Sequence, residues 1–334
     1  MKIMENLNSL DFEVPIVALE KKIAELEKFS SLADVDLTDE ISKLRQRADR
    51  LKLDIYKNLT PWRRVLLARH PQRPLATDFI DLIFKDFIEL YGDRSFRDDK
   101  AIVCGLAKLD NFKVMVVGTR KGKNTMERME SNFGCPHPEG YRKSLLKMQL
   151  AEKFKLPIIT LINTPGAYPG IGAEERGQAL VIAKNLFEMS RMRTPIICII
   201  TGEGGSGGAL ALAVGDKLAI MENAYFSVIS PEGCAALLWR DSSKAPDAAK
   251  ALKFTAKDLL ELGIVDEIIP EPLGGAHRDH KTTAENVKKV ILRYLNELTQ
   301  MPTEVLLQKR YEKFRAIGKF VELQEKTAAE LKTK

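Results

Sequence analysis

Apolar residues in the first 70 positions recur at steps of three and four. Ile16, Leu19, Ile23 and Leu26 make one stripe, and Ile41, Leu44, Ala48, Leu51 and Ile55 make another, the spacing that gathers side chains on one face of an α-helix. Each stripe covers about two heptads, fewer than a coiled coil sustains, so the pair predicts a helical hairpin packed on something larger. Pro61 and Pro71 punctuate the next connection. Phe79, Leu82, Ile83, Phe87 and Leu90 then predict a third helix with these residues facing inward.

From about residue 100 the period changes. Ala101 to Leu106 and Val114 to Val117 flank an Asp110-Asn111 turn, as in a β-hairpin. After a helix around Tyr141 to Phe154, three short apolar runs read as buried strands: Ile158 to Ile162, Ile196 to Ile200 and Leu218 to Met221. Between them lie a long helix from Ala173 to Met192, with Leu180, Val181 and Phe187 inward, and a very short one from Ala209 to Val214 that Gly215 stops. Tyr225 to Ile229 and Ile264 to Ile269 read as further strands, with helices at Pro231 to Trp239 and between Thr255 and Gly263, where Thr255 and Asp258 form a capping box. From Thr283 onward the pattern is helical and split at Pro302, and no internal repeat is present. Strands alternating with helices predict an α/β core with right-handed crossovers. The predicted division is a helical arm over residues 1–74, a core over 75–282 and C-terminal helices over 283–334.

With 334 residues, 45% apolar and 29% charged, the chain has ample material for a buried core and is neither disordered nor low in complexity. Most of the net charge of +6 comes from Lys281 to Lys334, where 12 basic residues face 7 acidic ones. No nucleic-acid-binding motif accompanies that excess, which therefore reads as a solvated helical face. Cys104, Cys135, Cys198 and Cys234 stand at least 31 residues apart, a spacing that builds neither a zinc ribbon nor a disulfide framework and suits reduced thiols in a cytosol. Acidic Glu5, Asp11 and Glu13 argue against a leader peptide, and the apolar run Ile196 to Ile200 is far too short to span a bilayer. A cytoplasmic protein with no membrane or nucleic-acid partner is expected.

The densest chemical signal is Thr201-Gly-Glu-Gly-Gly-Ser-Gly-Gly208, between a predicted strand and a short helix. Gly202, Gly204 and Gly207 satisfy the dinucleotide fingerprint, with Glu222 about 20 residues on, where a ribose-binding carboxylate would sit. Gly204, Ser206 and Gly208 satisfy the nucleophile elbow of serine hydrolases. A third reading uses no side chain: amides at the start of a helix lack intrahelical acceptors, and glycines let a ligand approach them, which makes an oxyanion hole. Glycines that serve only close packing are the bland alternative, and their density here weighs against it. A second glycine-rich turn, Asn163-Thr-Pro-Gly-Ala-Tyr-Pro-Gly-Ile-Gly172, follows the preceding strand, so two neighbouring strands end in such turns at the edge where α/β sheets bind ligands. The fingerprint comes late in the chain and before too short a helix, which counts against a dinucleotide. A hydrolase would pair Ser206 with a histidine, and His277 or His280, downstream of Asp241, Asp258 and Asp266, meets the order of a triad. His277 and His280 sit in a Gly274-Gly275 loop and read as surface punctuation, and no third ligand at motif spacing supports a metal.

Five stretches together carry a resemblance: Leu161-Ile-Asn-Thr-Pro-Gly-Ala-Tyr-Pro-Gly170, Gly172-Ala-Glu-Glu-Arg-Gly-Gln178, Gly202-Glu-Gly-Gly-Ser-Gly-Gly-Ala-Leu210, Val228-Ile-Ser-Pro-Glu-Gly-Cys234 and Ile268-Ile-Pro-Glu-Pro-Leu-Gly-Gly-Ala-His277. In this order they resemble the alpha subunits of the carboxyltransferase of bacterial-type acetyl-CoA carboxylase, members of the crotonase-like (ClpP/crotonase) fold group. The resemblance implies a spiral core of short strands and helices. It further implies transfer of a carboxyl group from carboxybiotin, borne on a separate biotin carboxyl carrier protein, to acetyl-CoA, giving malonyl-CoA for fatty acid synthesis. It implies a beta subunit bearing a zinc ribbon in an α2β2 assembly, ATP use only by a separate biotin carboxylase, and no metal in this chain. Carried onto this sequence, the Gly204 and Gly205 amides would stabilise charge on the biotin ureido oxygen. Gly166, Ala167, Tyr168, Ser206 and Gly207 would line the pocket, and Glu174, Glu175 and Arg176 would position a loop or cross the interface. The alternative is a self-contained crotonase-like enzyme or a serine hydrolase using Ser206. Propionyl-CoA carboxyltransferases share this loop logic, so the sequence leaves the acyl group open.

Overall fold

The computed structural model describes residues 10–33 and 35–318. Within the arm expected over residues 1–74, α1 (Val14–Ala33) and α2 (Thr38–Lys57) pack through Ile23, Ile41 and Ala48, with Leu19, Leu26 and Leu44 around them, as their stripes predict. Thr60 caps α3 (Pro61–Ala68) by accepting the Arg63 amide, and α4 (Ala76–Ile83) leads into the sheet. Among the described residues the sheet has eight strands: β1 (Lys85–Glu89), β2 (Ile102–Leu109), β3 (Phe112–Thr119), β4 (Ile158–Thr164), β5 (Ile196–Gly205), β6 (Lys217–Met221), β7 (Tyr225–Ser227) and β8 (Glu267–Ile269). The remaining helices are α5 (Thr125–Glu130), α6 (Pro138–Lys153), α7 (Ile171–Glu175), α8 (Gln178–Arg191), α9 (Ser206–Leu210), α10 (Pro231–Trp239), α11 (Ala245–Ala251), α12 (Ala256–Glu261), α13 (His280–Leu298) and α14 (Thr303–Arg315).

The strands form one mixed sheet in the order β1-β2-β3-β4-β5-β6-β8, with β7 on the far end of β5. β1, β2 and β3 are antiparallel, and the rest pair in parallel. β4 and β5 are buried along their whole length, so their apolar runs are continuous rather than alternating. β5 changes partner part-way: Ile197 to Ile200 pair with β6, whereas Glu203 to Gly205 pair with Tyr225 to Ser227 of β7. Its register against β4 also slips, from Ile162 opposite Ile200 to Thr164 opposite Gly204. Such irregularity bends a strand and re-aims the residues beyond it.

Two helices differ from the sequence expectation. The third helix stops at Ile83, where the Phe84 amide still bonds the Ile80 carbonyl, and Phe87 and Leu90 belong to the sheet edge instead. The Leu90 amide donates to Cys104 O at 2.7 Å, and strand pairing satisfies backbone that a longer helix would have left at an unpaired edge. Leu82 faces solvent. The long helix expected over 173–192 is broken by Gly177, whose φ of +80° is a left-handed conformation that a glycine adopts without strain. Within α8, Gln178, Val181, Asn185 and Met189 face inward while Leu180 and Phe187 face outward. Gln178 shares the inner face with Val181 and Met189 because loop carbonyls there need a donor: its Nε2 reaches Pro136 O at 2.8 Å and Tyr168 O at 3.1 Å. The strands expected over 225–229 and 264–269 are shorter, Tyr225–Ser227 and Glu267–Ile269, and the short helix expected over 209–214 starts earlier, at Ser206, and ends at Leu210 rather than at Gly215.

At the C-terminus the chain divides at Pro302 as expected. The basic excess there is not all solvated. Arg310, 1% exposed, donates to both Asp216 oxygens and to the carbonyls of Met189, Met192 and Thr194, pinning α14 across the end of α8 and the start of β6. Residues 319–334 of the basic tail lie outside the described part. Among the described residues no helix is long and apolar enough to cross a membrane.

Candidate active site

The two glycine-rich segments meet, as neighbouring parallel strands require. A Cβ at Gly205 would stand 2.0 Å from the Pro165 carbonyl oxygen, and one at Gly208 would stand 2.3 Å from the Ala167 amide. These two glycines let the loop after β4 pack against the turn after β5. Close packing is therefore a real duty of the cluster, which its density alone had argued against. Gly207 differs, since its nearest neighbour would be an Ile182 methyl at 3.7 Å.

The sequence expectation placed the donors on Gly204 and Gly205. Both are buried as the last residues of β5, and the residues that reach the surface beside them are Ser206, exposed, and Gly207, half-buried. The Ser206 and Gly207 amides open α9 and have no acceptor within that helix. Ser206 holds φ +54°, a left-handed conformation uncommon for a residue with a side chain. Backbone strain of this kind gathers at functional turns.

Opposite this junction, the Thr164 hydroxyl donates to Gly134 O at 2.6 Å and accepts the Gly166 amide at 3.1 Å. The Tyr168 amide donates to Pro136 O, and the Tyr168 ring packs on His137 with centroids 4.1 Å apart. Gly166 and Tyr168 thus form a fixed wall whose amides are engaged within the protein. Arg176 pairs through Nε with buried Glu139 and accepts from Arg142 at its carbonyl, which ties α7 to α6, while Glu174 and Glu175 point to solvent. Of that acidic-basic trio only Arg176 is buried enough to bond α6.

The competing motif readings lose their partners. Glu222 accepts the Glu271 amide at the end of β8, and α9 spans five residues, so no dinucleotide crossover succeeds the fingerprint. Among the described residues no histidine bonds Ser206: His280 bonds Gln72 O, and His277 bonds Glu13 at 3.1 Å. His277 is not surface punctuation, since its side chain is buried against the arm and stacks on His70 at 3.9 Å. Glu13, His70 and His277 bring ligand-type atoms within 4.8 Å of one another, a grouping that spacing in the sequence did not signal. Arg278 places a guanidinium 3.4 Å from the same Glu13 oxygen, a fixed positive charge that competes with any cation there. All four cysteines are free, and burial pushes the Cys104 and Cys198 thiols up to about 12 and about 11, which keeps them unreactive.

Sequence reasoning missed a cluster directly behind the junction. Glu203, 5% exposed, accepts from Arg69 Nε at 2.7 Å, from the Tyr225 hydroxyl at 2.6 Å and from Lys121 Nζ. Burial alone would raise its carboxyl, but the charges of Lys121 and Arg69 and the Tyr225 hydroxyl outweigh burial and hold it at about 2. The only signal in the sequence was a lone acid inside a glycine run.

A family described as acetyl co-enzyme A carboxylase carboxyltransferase-like matches residues 9–318. The chain belongs to this family. The acetyl-coenzyme A carboxylase carboxyl transferase subunit alpha of Geobacillus sp. (strain WCH70) is 56% identical over 311 residues, 93% of this chain and 96% of that protein. Its counterpart from Thermus thermophilus is 55% identical over 313 residues, 94% and 99% of the two chains. Coverage of this extent takes in arm, core and C-terminal helices as one shared length. Among solved structures, the transcarboxylase 12S core superposes with a TM-score of 0.57 at 18% identity, over 69% of this chain and 42% of that one. The beta subunit of geranyl-CoA carboxylase from P. aeruginosa gives 0.53 at 17% identity, over 73% and 46%. Those two likenesses show a shared fold, the crotonase-like carboxyltransferase architecture expected from the five motifs.

Proposed function

We propose that this chain forms the biotin-facing half of the acetyl-CoA carboxylase carboxyltransferase, with the junction Gly204 to Gly207 as its oxyanion hole. Family membership makes it an enzyme component of acetyl-CoA carboxylase, and the reaction is carboxyl transfer to acetyl-CoA, forming malonyl-CoA. Carboxybiotin on a separate carrier protein would supply the carboxyl group, and the junction amides would hold its ureido oxygen and stabilise negative charge there. The residues present suit such a group: the junction offers amides at the surface, Gly207 leaves room for close approach, and Gly166, Ala167 and Tyr168 supply a fixed wall. One donor of this kind is typically worth ~2.7 to 4 kcal/mol to the transition state. Gly204 and Gly205 set the floor of the hole and fix its distance from the opposite wall. Ser206 contributes its backbone and does not act as a nucleophile.

The observation that carries this reading is the meeting of two glycine turns at the carboxyl edge of β4 and β5 within a chain of this family. A beta subunit supplies the remaining half. Apolar side chains left in solvent on elements near the junction support such a partner: Ile171 in α7, Leu180 in α8 and Val228 just after β7. Exposed apolar surface of this kind marks an interface. The chain lacks a four-cysteine cluster, so zinc is assigned to the beta subunit's ribbon, with an α2β2 assembly, acetyl-CoA as acceptor, ATP use by a separate biotin carboxylase and a cytoplasmic location.

The test is native mass spectrometry of the assembly purified from its own cells through a tag on this chain, with zinc quantified. A heterotetramer containing a second, zinc-bearing polypeptide is expected. A zinc-free homo-oligomer active without a partner would overturn the assignment.

A further inference from the structure

The junction is held by more than backbone. Glu203 pairs across the β5–β7 ladder with Tyr225, and their side chains repeat that pairing through the 2.6 Å hydrogen bond from the Tyr225 hydroxyl. Arg69, from the end of α3, donates to the same Glu203 oxygen and continues to Glu232 in the first turn of α10. Arg69 Nη2 also donates to the Tyr225 hydroxyl at 3.3 Å. Lys121, just beyond β3, takes the other Glu203 oxygen. The Glu203 amide donates to Asn163 Oδ1 at 3.0 Å, at the end of β4. One residue thus gathers β3, β4, β7 and the arm immediately before the two glycines.

β7 is only three residues long, and it pairs with β5 after the register slip. Three parallel pairs are a weak ladder, since parallel strands pair less stably per residue. Buried ion pairs contribute little net stability, but they can specify one arrangement among several. A carboxylate with this many donors is therefore better suited to fixing the strand end than to strengthening the fold.

We propose that Glu203, held by Lys121, Arg69 and Tyr225, is a positioning residue that sets the geometry of the Gly204 to Gly207 junction for carboxyl transfer. The proposal rests on the oxyanion-hole reading above. It assigns the arm an active role, because Arg69 at the end of α3 supports the turn where transfer takes place.

The test is Glu203→Gln in the chain assembled with its beta partner, with the crystal structure, the melting temperature and the kinetics of carboxyl transfer from malonyl-CoA to free biotin all measured. We expect the assembly to form, residues 203–205 to shift away from β7, and kcat to fall about tenfold or more, with KM for malonyl-CoA changed less than about threefold. Lys121→Met should do the same more weakly, and Lys121→Arg should restore most of the loss; this pair also serves if Glu203→Gln fails to assemble. An unshifted junction, whether kcat falls or not, overturns the positioning role. A shifted junction with full kcat leaves Glu203 as its anchor and overturns the oxyanion-hole reading instead.

Discussion

Gly207→Ala tests the candidate site without disturbing the packing around it. The added methyl meets nothing closer than Ile182 at 3.7 Å, and Gly207 has none of the left-handed dihedrals that would strain an alanine. Alanine at a helical position is worth up to about 1 kcal/mol over glycine, so the melting temperature should hold or rise by roughly 2 °C. On the proposed reading the methyl would crowd a reacting oxygen held by the Ser206 and Gly207 amides, and a displacement of about 1 Å can cost about 10²-fold in rate. The expected outcome is a drop of that order in kcat/KM for malonyl-CoA-dependent carboxylation of biotin by the assembled enzyme, with no loss of stability. Gly205→Ala is the contrast. Its Cβ would need the Pro165 carbonyl to retreat from 2.0 Å to about 3.4 Å, a backbone movement costing about 1 to 3 kcal/mol or more. That variant should lose stability and activity together, so its inactivity alone says nothing about catalysis. Full turnover by Gly207→Ala would falsify the assignment of this junction as the place where charge develops.

Ser206→Ala should leave kcat within about threefold of the native value, whereas loss of a nucleophile would cost several orders of magnitude in the same assay; a drop that large would restore the hydrolase-like alternative. Glu13 gives the arm a pH dependence. Burial raises its carboxyl, but hydrogen bonds from His277 and Tyr56 bring it down to about 2 from an ordinary 4.5. A depressed carboxylate contributes stability that is present above about pH 4.5 and lost as pH falls towards 2, on the order of 3 kcal/mol for this shift. Glu13→Gln should therefore flatten acid unfolding over that window, and an unchanged acid midpoint would rule out Glu13 as an anchor of the arm.

The parts of the fold legible in the sequence were those whose physics is local. β4, β5 and β6 are buried runs of β-branched and other apolar residues, the Asp110 turn joins β2 to β3, and Thr255 caps α12 together with Asp258. Phe87 and Leu90 misled because their three-residue step continues the helical stripe, while the sheet edge offers their backbone the partners that end the helix at Ile83. The glycine junction was legible as a cluster, but the division of labour within it was not. Whether a Cβ at Gly205 or Gly207 would collide depends on Pro165 and Ile182, which lie far off in sequence. Glu203 was invisible for a similar reason: Arg69 is 134 residues away and Lys121 is 82 away.

The misread face of α8 points to how such sites are built. Amphipathic reasoning assumes that the inward face is the apolar one, and here Gln178 and Asn185 lie inside while Leu180 and Phe187 lie in solvent. The inversion has a local cause, since the Pro136 and Tyr168 carbonyls, which shape the wall facing the junction, find their donor in Gln178. The inner face is shared between these polar residues and the apolar Val181 and Met189, and Leu180 and Phe187 are left on the outer one. In the proposed assembly those side chains face the beta subunit. Precision at the wall and incompleteness at the surface therefore arise from the same helix. Charged replacements at Leu180 or Phe187 should accordingly weaken assembly with the partner while leaving the folded chain intact, as native mass spectrometry and the melting temperature of each variant would report.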